Sequence, residues 1–130
     1  MEKVLDTAYV RYELDGDLLI GWYKKGLRIT LPVAKEVVKA RLEFTDYKPV
    51  VALVYNLGVI SFNKEARDYL ASEEGVKCII AGALLIDSPV GSFFGNFYLA
   101  VSKPKIPSRI FSRKDAAMKW LSKYRNQIVN

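Results

Sequence analysis

The chain has 130 residues, of which 51% are hydrophobic and 26% charged, and its formal net charge is +6. This length fits a single domain, and the apolar content excludes a largely disordered chain. The longest apolar run, Cys78 to Ile86, has nine residues, whereas a membrane-spanning helix needs about 20. The acidic residues near the N-terminus do not fit a signal peptide, and one cysteine cannot form an internal disulfide. A single domain over residues 1–130 with a cytoplasmic location is therefore expected.

The first half of the chain predicts three strands and a helix. Alternating apolar residues indicate a strand over residues 7–14 with one wetter face. Asp15-Gly16 then predicts a hairpin turn into a second strand over residues 17–23. An apolar stripe predicts a helix that is capped at Thr30 and runs to about Phe44. The nearly continuous apolar run Val50 to Tyr55 is typical of a buried parallel strand.

The second half predicts two more strands and three helices. These are a helix from Asn63 or Lys64 to about Ser72, a strand from Cys78 to Ile86, a helix from Ser88 to about Val101, a strand from Arg109 to Phe111, and a helix capped by Ser112. Ser61 or Asn63 is expected to cap the first of these helices. The order β-β-α-β-α-β-α-β-α predicts the α/β class, with a small mixed, mostly parallel five-stranded sheet and helices packed on it.

The sequence predicts no catalytic residue, no cofactor and no metal site. Histidine, the commonest general base and metal ligand, is absent. Cys78 lies in an apolar run, where a buried structural thiol is expected rather than a nucleophile. The carboxylates of Glu73-Glu74, and those of Asp15 and Asp17, have no apolar wall beside them that would separate their pKa values. A protein that is not an enzyme is therefore expected.

The helix predicted after Ser88 is apolar around much of its circumference. Successive residues on a helix point about 100° apart, so one core face cannot hide all of its aromatic side chains. A core role, a protein interface and a ligand cavity all fit this pattern. The candidate ligand or interface residues are Phe93, Phe94, Phe97 and Tyr98.

The positive charge is concentrated at the C-terminal end. Residues 103–130 carry eight basic side chains and one acidic, whereas residues 1–102 carry 12 basic and 13 acidic. This asymmetry fits a solvated helix face, with a surface for nucleic acid or for an acidic membrane as the alternative. The basic side chains of the last helix are Lys114, Lys119, Lys123 and Arg125. Since Trp120 and Tyr124 are expected on its core face, where they could not stack on bases, nucleic acid ranks last among the partners.

The order of elements resembles the STAS domain of bacterial anti-sigma factor antagonists. It is closer still to STAS/SEC14-type proteins with the SpoIIAA-like fold, a branch with few assigned functions. The resemblance spans about Val50 to Leu121. The segments that carry it are Ala66 to Ala71, Ala83 to Gly91, Gly95 to Phe97, Pro107 to Ser112 and Ala117 to Leu121.

This resemblance implies a SpoIIAA-like fold and a binding module. In the antagonists, a partner kinase phosphorylates a hydroxyl that follows an aspartate at the start of the second helix, and the added charge blocks docking. When Gly58-Val59 is matched to that family's loop, Asn63-Lys64 falls where Asp-Ser is expected. The phosphoacceptor is therefore missing, and Ser61 is the nearest hydroxyl.

Three functions follow in order of preference. The first is a non-catalytic regulatory or protein-interaction module that docks through Ser61, Asn63, Lys64 and Arg67. The second, by analogy with the SEC14 side of the resemblance, is binding of a lipid or small apolar ligand by the four aromatic residues of the third helix. The third is weak nucleic-acid binding through the basic last helix. The aromatic surface and the short edge strands could both support a two-fold homodimer.

Overall fold

The computed structural model describes residues 2–56 and 61–128, without the side chains of Glu2, Val90 and Phe94. The strands are β1 (Glu2–Asp6), β2 (Val10–Asp15), β3 (Leu18–Tyr23), β4 (Arg28–Ile29), β5 (Val50–Tyr55), β6 (Ser61–Phe62), β7 (Ile79–Leu85) and β8 (Ser108–Phe111). The helices are α1 (Leu31–Phe44), α2 (Lys64–Ala71), α3 (Pro89–Phe97) and α4 (Lys114–Arg125). A π-helical turn, Tyr98–Ser102, follows α3. Gly58-Val59, used in matching the antagonist loop, lies outside the described residues.

A six-stranded sheet in the order β1-β2-β3-β5-β7-β8 organises the fold. β1, β2 and β3 are antiparallel neighbours, whereas β3, β5, β7 and β8 run parallel. The expected mixed, mostly parallel α/β sheet is confirmed, but the expected number of five strands is wrong. The additional strand is β1, whose charged sequence Glu-Lys-Val-Leu-Asp is typical of an exposed sheet edge and lacks a long apolar alternation.

The predicted hairpin joins β2 to β3. Asp15 pairs with Leu18, so Gly16 and Asp17 form a two-residue loop, and Gly16 adopts a positive φ of 62°. The first strand of this hairpin begins at Val10 rather than at residue 7. The Thr7 hydroxyl accepts a hydrogen bond from the Val10 amide at 3.0 Å and closes a turn before the strand.

Helix α4 covers one face of the sheet. Small side chains on β7, Ala81 and Ala83, lie under Ala117 of α4 and allow a close approach. The buried residues of this core are Leu18, Val51, Leu53, Ala81, Ala83, Leu85, Ala117 and Leu121. Arg125, at the end of α4, pairs with Asp17 in the β2–β3 loop and fastens the helix to the hairpin.

Helices α1, α2 and α3 lie on the opposite face. α1 packs over β2 and β3 through Val37, and α2 packs on α1 through Ala66 against Ala34. α3 approaches the other edge of the sheet at Gly95, where an added Cβ would lie 2.8 Å from Ile110 Cδ1 and 2.7 Å from Ile86 Cδ1. The three helices lie around the part of this face that is formed by β5 and β7. None of them fills the space above it.

Several element boundaries differ from the expectations. α4 begins at Lys114 with Arg113 in the N-cap position, where its side chain makes no capping hydrogen bond; the expected cap, Ser112, lies one residue too early. The third helix ends at Phe97, not near Val101, because the chain widens into the π-helical turn. Cys78 precedes β7 with a left-handed φ of 66° and is half-buried, not buried within the strand as expected.

None of the helices within residues 2–56 and 61–128 has the length and apolar character that a membrane crossing requires.

The core beneath α4 predicts a large cost for truncating Leu53, which has no exposed surface. Leu53→Ala is expected to lower the free energy of unfolding by about 2–5 kcal/mol, because a cavity remains where the side chain was packed. Urea denaturation measures the change, and Val4→Ala serves as the control because Val4 is 52% exposed on β1. A loss at Leu53 as small as that at Val4 would contradict this description of the core.

Candidate functional site

A cavity of about 660 Å³ lies over β5 and β7, between the sheet and helices α1, α2 and α3. Sites for small molecules usually occupy about 300–1,000 Å³ and have mostly apolar walls with a few polar groups. The size of this cavity falls within that range. Its walls come from all three helices, so the side chains around it are far apart in sequence.

The sheet leaves space for the cavity because the side chains at the centre of its floor are small. Ala52 pairs with Gly82, and Gly82 pairs with Ser108, so three small residues lie side by side across β5, β7 and β8. A Cβ added at Gly82 would have Ile106 Cδ1 as its nearest neighbour, 3.9 Å away. Neighbouring strands are about 4.8 Å apart, so the row forms a smooth trough.

Larger apolar residues continue the floor and the walls. Val54 and Leu84 are only half-buried, although they lie on interior strands, because they face the cavity. Val37 and Val38 of α1 and Leu70 of α2 form walls. The surface offered to a ligand is therefore mainly aliphatic.

Aromatic residues of α3 and the following turn line one end of the cavity. Phe93, Phe97 and Tyr98 all contribute to it, and Phe93 and Phe97 remain 67% and 41% exposed. The Tyr98 ring packs edge-on against Phe62 with 5.8 Å between ring centroids. Three of the four aromatic candidates are thus brought together, while the side chain of Phe94 lies outside the described set.

The residues expected to dock a partner have mixed roles. Asn63 is the α2 cap, because its Oδ1 accepts a hydrogen bond from the Ala66 amide at 2.9 Å. Lys64 pairs with Asp68 at 2.7 Å. Ser61 is exposed on β6 rather than capping the helix, and it lines the cavity together with Arg67. Docking through these residues stays a prediction.

Arg67 connects α2 to the aromatic end of the cavity. Its Nη1 donates a hydrogen bond to the Phe62 carbonyl at 2.6 Å, and its guanidinium lies 5.1 Å from the centroid of the Phe97 ring. The hydrogen bond ties the guanidinium to β6, and the ring contact places it against α3. Such a cation–π contact contributes about 0.5–2 kcal/mol. Arg67 therefore fixes the position of α3 relative to α2.

A buried arginine, Arg41, also lines the cavity and was missing from the candidates drawn from the sequence. It is 4% exposed and donates hydrogen bonds to the carbonyls of Lys77 at 2.8 Å and Gly75 at 3.1 Å. Burial lowers the pKa of the Arg41 guanidinium. Its position in the sequence could have indicated this burial, because Arg41 follows Val38 by three residues and so falls on the apolar stripe of α1.

Two tyrosines, Tyr12 and Tyr23, add hydroxyl groups to the wall near Arg41. Burial raises the pKa of Tyr23 to about 12. It also raises the pKa of Tyr12 far above the ordinary range. The Tyr12 hydroxyl donates a hydrogen bond to the Val37 carbonyl at 3.4 Å. Both phenols are neutral at physiological pH and offer polarity without charge.

The basic side chains of α4 lie on the far side of the sheet from the cavity. Lys114, Lys119 and Lys123 are exposed, whereas Arg125 is held by Asp17. Trp120 and Tyr124 pack against one another beside the α4 core, with 4.9 Å between their ring centroids. The aromatic and basic groups of α4 are thus separated from the cavity.

The buried tyrosines predict a loss of stability in alkaline solution. A phenol in the unfolded chain loses its proton near pH 10, whereas Tyr23 keeps its proton up to about pH 12 in the folded protein. Folding stability is therefore expected to fall from about pH 10 upward, by up to about 1.4 kcal/mol per pH unit for each such tyrosine. Urea midpoints at pH 9 and pH 11 measure the fall. Tyr23→Phe is expected to lessen it, and an unchanged fall in this variant would count against the assignment.

A solved structure with a similar fold supports the expected architecture. It is that of an uncharacterised protein of the DUF3478 family with a SpoIIAA-like fold, from Shewanella loihica PV-4. The two chains are 13% identical and align with a TM-score of 0.58 over 93% of this chain and 95% of that chain. The SpoIIAA-like fold is thereby confirmed, and at this identity the similarity concerns the fold alone.

No curated protein matches the chain. A family model does match it, over residues 12–125, a range that begins within β2 and ends at the last residue of α4. The chain therefore belongs to the family described as a domain of unknown function, DUF7793.

Proposed function

We propose that the protein binds a small, mainly apolar molecule in the cavity between its sheet and helices α1–α3, and that it does so without catalysing a reaction. The observation that carries this proposal is the cavity of about 660 Å³ with its aliphatic floor and aromatic end. This was the second of the three functions expected from the sequence. It ranks first because the aromatic residues of α3 border a cavity that is partly open to solvent.

Packing energetics support an occupant. Protein interiors are packed to the density of organic crystals, and an apolar void forfeits dispersion contacts on every wall. Val54 and Leu84 would regain those contacts from a ligand. Each Å² of apolar surface removed from water contributes about 25 cal/mol. A ligand that fills the trough would therefore bind mainly through burial of apolar surface.

The chemistry of the wall supports binding without catalysis. Among the described lining residues the one carboxylate is Asp87, which is exposed. General acid–base catalysis depends on groups whose pKa lies near neutrality, whereas burial moves the pKa of Tyr12 and Tyr23 upward, away from it. The polar groups of the cavity are therefore suited to orient a ligand.

Filling the trough tests the proposal. Gly82→Leu places an aliphatic side chain in open space, and Gly82 does not require a positive φ. The variant is expected to bind N-phenyl-1-naphthylamine, an apolar fluorescent probe, at least about tenfold more weakly than the wild type does. Its urea midpoint is expected to be equal or higher, because the new side chain fills a void.

Lys119→Leu is the matched control, since it adds a leucine on the exposed face of α4, across the sheet from the cavity. Its affinity for the probe is expected to equal that of the wild type. If Gly82→Leu folds and binds the probe as tightly as Lys119→Leu, the cavity is not the binding site. Native mass spectrometry adds an independent test. The purified wild type is expected to carry a co-purified apolar molecule, and purified Gly82→Leu is expected to lack it.

A protein-interaction module remains the second candidate, and one observation favours it. Phe93, Phe97 and Val101 expose 67%, 41% and 54% of their surface along α3 and the turn that follows. Exposed apolar clusters on soluble domains often mark interaction sites. Val101→Ser is expected to abolish retention of a partner, or self-association in sedimentation experiments, while probe affinity is unchanged because Val101 does not line the cavity. Unchanged association in this variant would remove the candidate surface.

A further inference from the structure

Arg41 places a buried positive charge in the wall of a cavity whose lining is mostly apolar. The residue is 4% exposed, and it is part of the lining. A guanidinium keeps its proton in proteins, even when burial disfavours the charged form. The charge of Arg41 is therefore a permanent feature of the cavity.

No carboxylate of the described residues balances this charge. The five ion pairs among those residues involve other cations: Arg11, Lys24, Lys64, Arg113 and Arg125. The side chains that interact electrostatically with Arg41 are Tyr12, Tyr23, Tyr69 and Cys78. Tyrosine and cysteine are neutral at pH 7 at their ordinary pKa values. A buried charge without a counter-ion is costly, and an anion beside it would offset that cost.

The carbonyls that bind Arg41 orient it without neutralising it. Nη1 donates to Lys77 and Nη2 donates to Gly75, in the segment that leads into β7. A guanidinium has five N–H donors, so two such bonds leave donors for a further acceptor. The backbone thus holds a planar cation in a fixed place at the start of β7.

Arg41 and the aromatic residues lie near opposite ends of β7. The lining contains Ile79, where β7 begins, and Ile86, which follows the end of β7. Seven residue steps along a strand span about 23 Å. Phe97 belongs to α3, which follows Ile86 and contacts it at Gly91 and Gly95. The cavity is therefore elongated, with the buried Arg41 near one end and the aromatic rings, together with Arg67 on Phe97, near the other.

We propose, on the basis of the proposed function, that the ligand is a single-chain amphiphile with a carboxylate head, of the fatty-acid class. Its carboxylate pairs with the Arg41 guanidinium, and its alkyl chain lies along the trough over Ala52 and Gly82 toward Phe97. A carboxylate matches the planar donor geometry of arginine, and its negative charge balances the buried positive charge of Arg41. An aliphatic chain matches the floor.

A comparison of two ligands on the wild-type protein tests the head group. Dodecanoate and dodecanol share one alkyl chain and differ in the charge of the head. Isothermal titration calorimetry is performed at pH 8, below the micellar concentration of dodecanoate. Dodecanoate is expected to bind at least about tenfold more tightly than dodecanol, because only its carboxylate forms a charge-assisted hydrogen bond with Arg41. Equal affinities would overturn the carboxylate proposal and leave the apolar cavity intact. Absence of binding by both ligands would contradict the proposed function itself.

Two substitutions then locate the head. Arg41→Met removes the charge at similar length and is expected to abolish the preference for dodecanoate over dodecanol. Arg41→Lys keeps the charge but loses the planar fork, and it is expected to retain part of the preference even if Arg41→Met does not fold. Arg125→Met, which removes an arginine that does not line this cavity, is the control. A full preference retained in a folded Arg41→Met or wholly lost in a folded Arg41→Lys would overturn the assignment.

Discussion

The sizes of the side chains on the two central strands determine how the rest of the molecule is arranged. Successive residues of a strand point to opposite faces, and β7 carries small residues toward both. Ala81 and Ala83 face α4, where their size lets the helix come close and bury Leu121. Gly82, between them, faces the other way and leaves space above it. One strand therefore produces a dense core on one side and a cavity on the other.

Helix placement keeps that space open. α1 lies over the antiparallel part of the sheet, and α2 packs on α1 through Ala66 instead of descending onto β5. α3 is held at the other edge, where Gly91 and Gly95 admit Ile86 so closely that a Cβ would lie within 2.7 Å of it. The Arg67 guanidinium over the Phe97 ring joins α2 to α3. The helices thus form the sides of the cavity.

Elements with a strong local pattern could be predicted from the sequence. The strand Val50–Tyr55 has the predicted boundaries, and α1 ends at Phe44 as predicted, because an apolar run and a helical stripe are local signals. β1, β4 and β6 could not be predicted in this way, since two or five residues show little periodicity and their pairing joins distant segments. The aromatic candidates came from the circumference of α3. The trough could not be predicted from the sequence, because it depends on the strand register that aligns Ala52, Gly82 and Ser108.

The cavity has walls of unequal rigidity, and this has a kinetic consequence. Its floor is three parallel strands joined by backbone hydrogen bonds, whereas none of the described side chains of α3 is fully buried. Opening free energies are lowest where few apolar contacts are made. Exchange of an occupant with solvent would therefore proceed by displacement of α3, while the sheet keeps its shape. Substitutions on α3 would then change how long a molecule stays, and substitutions in the floor would change which molecule fits.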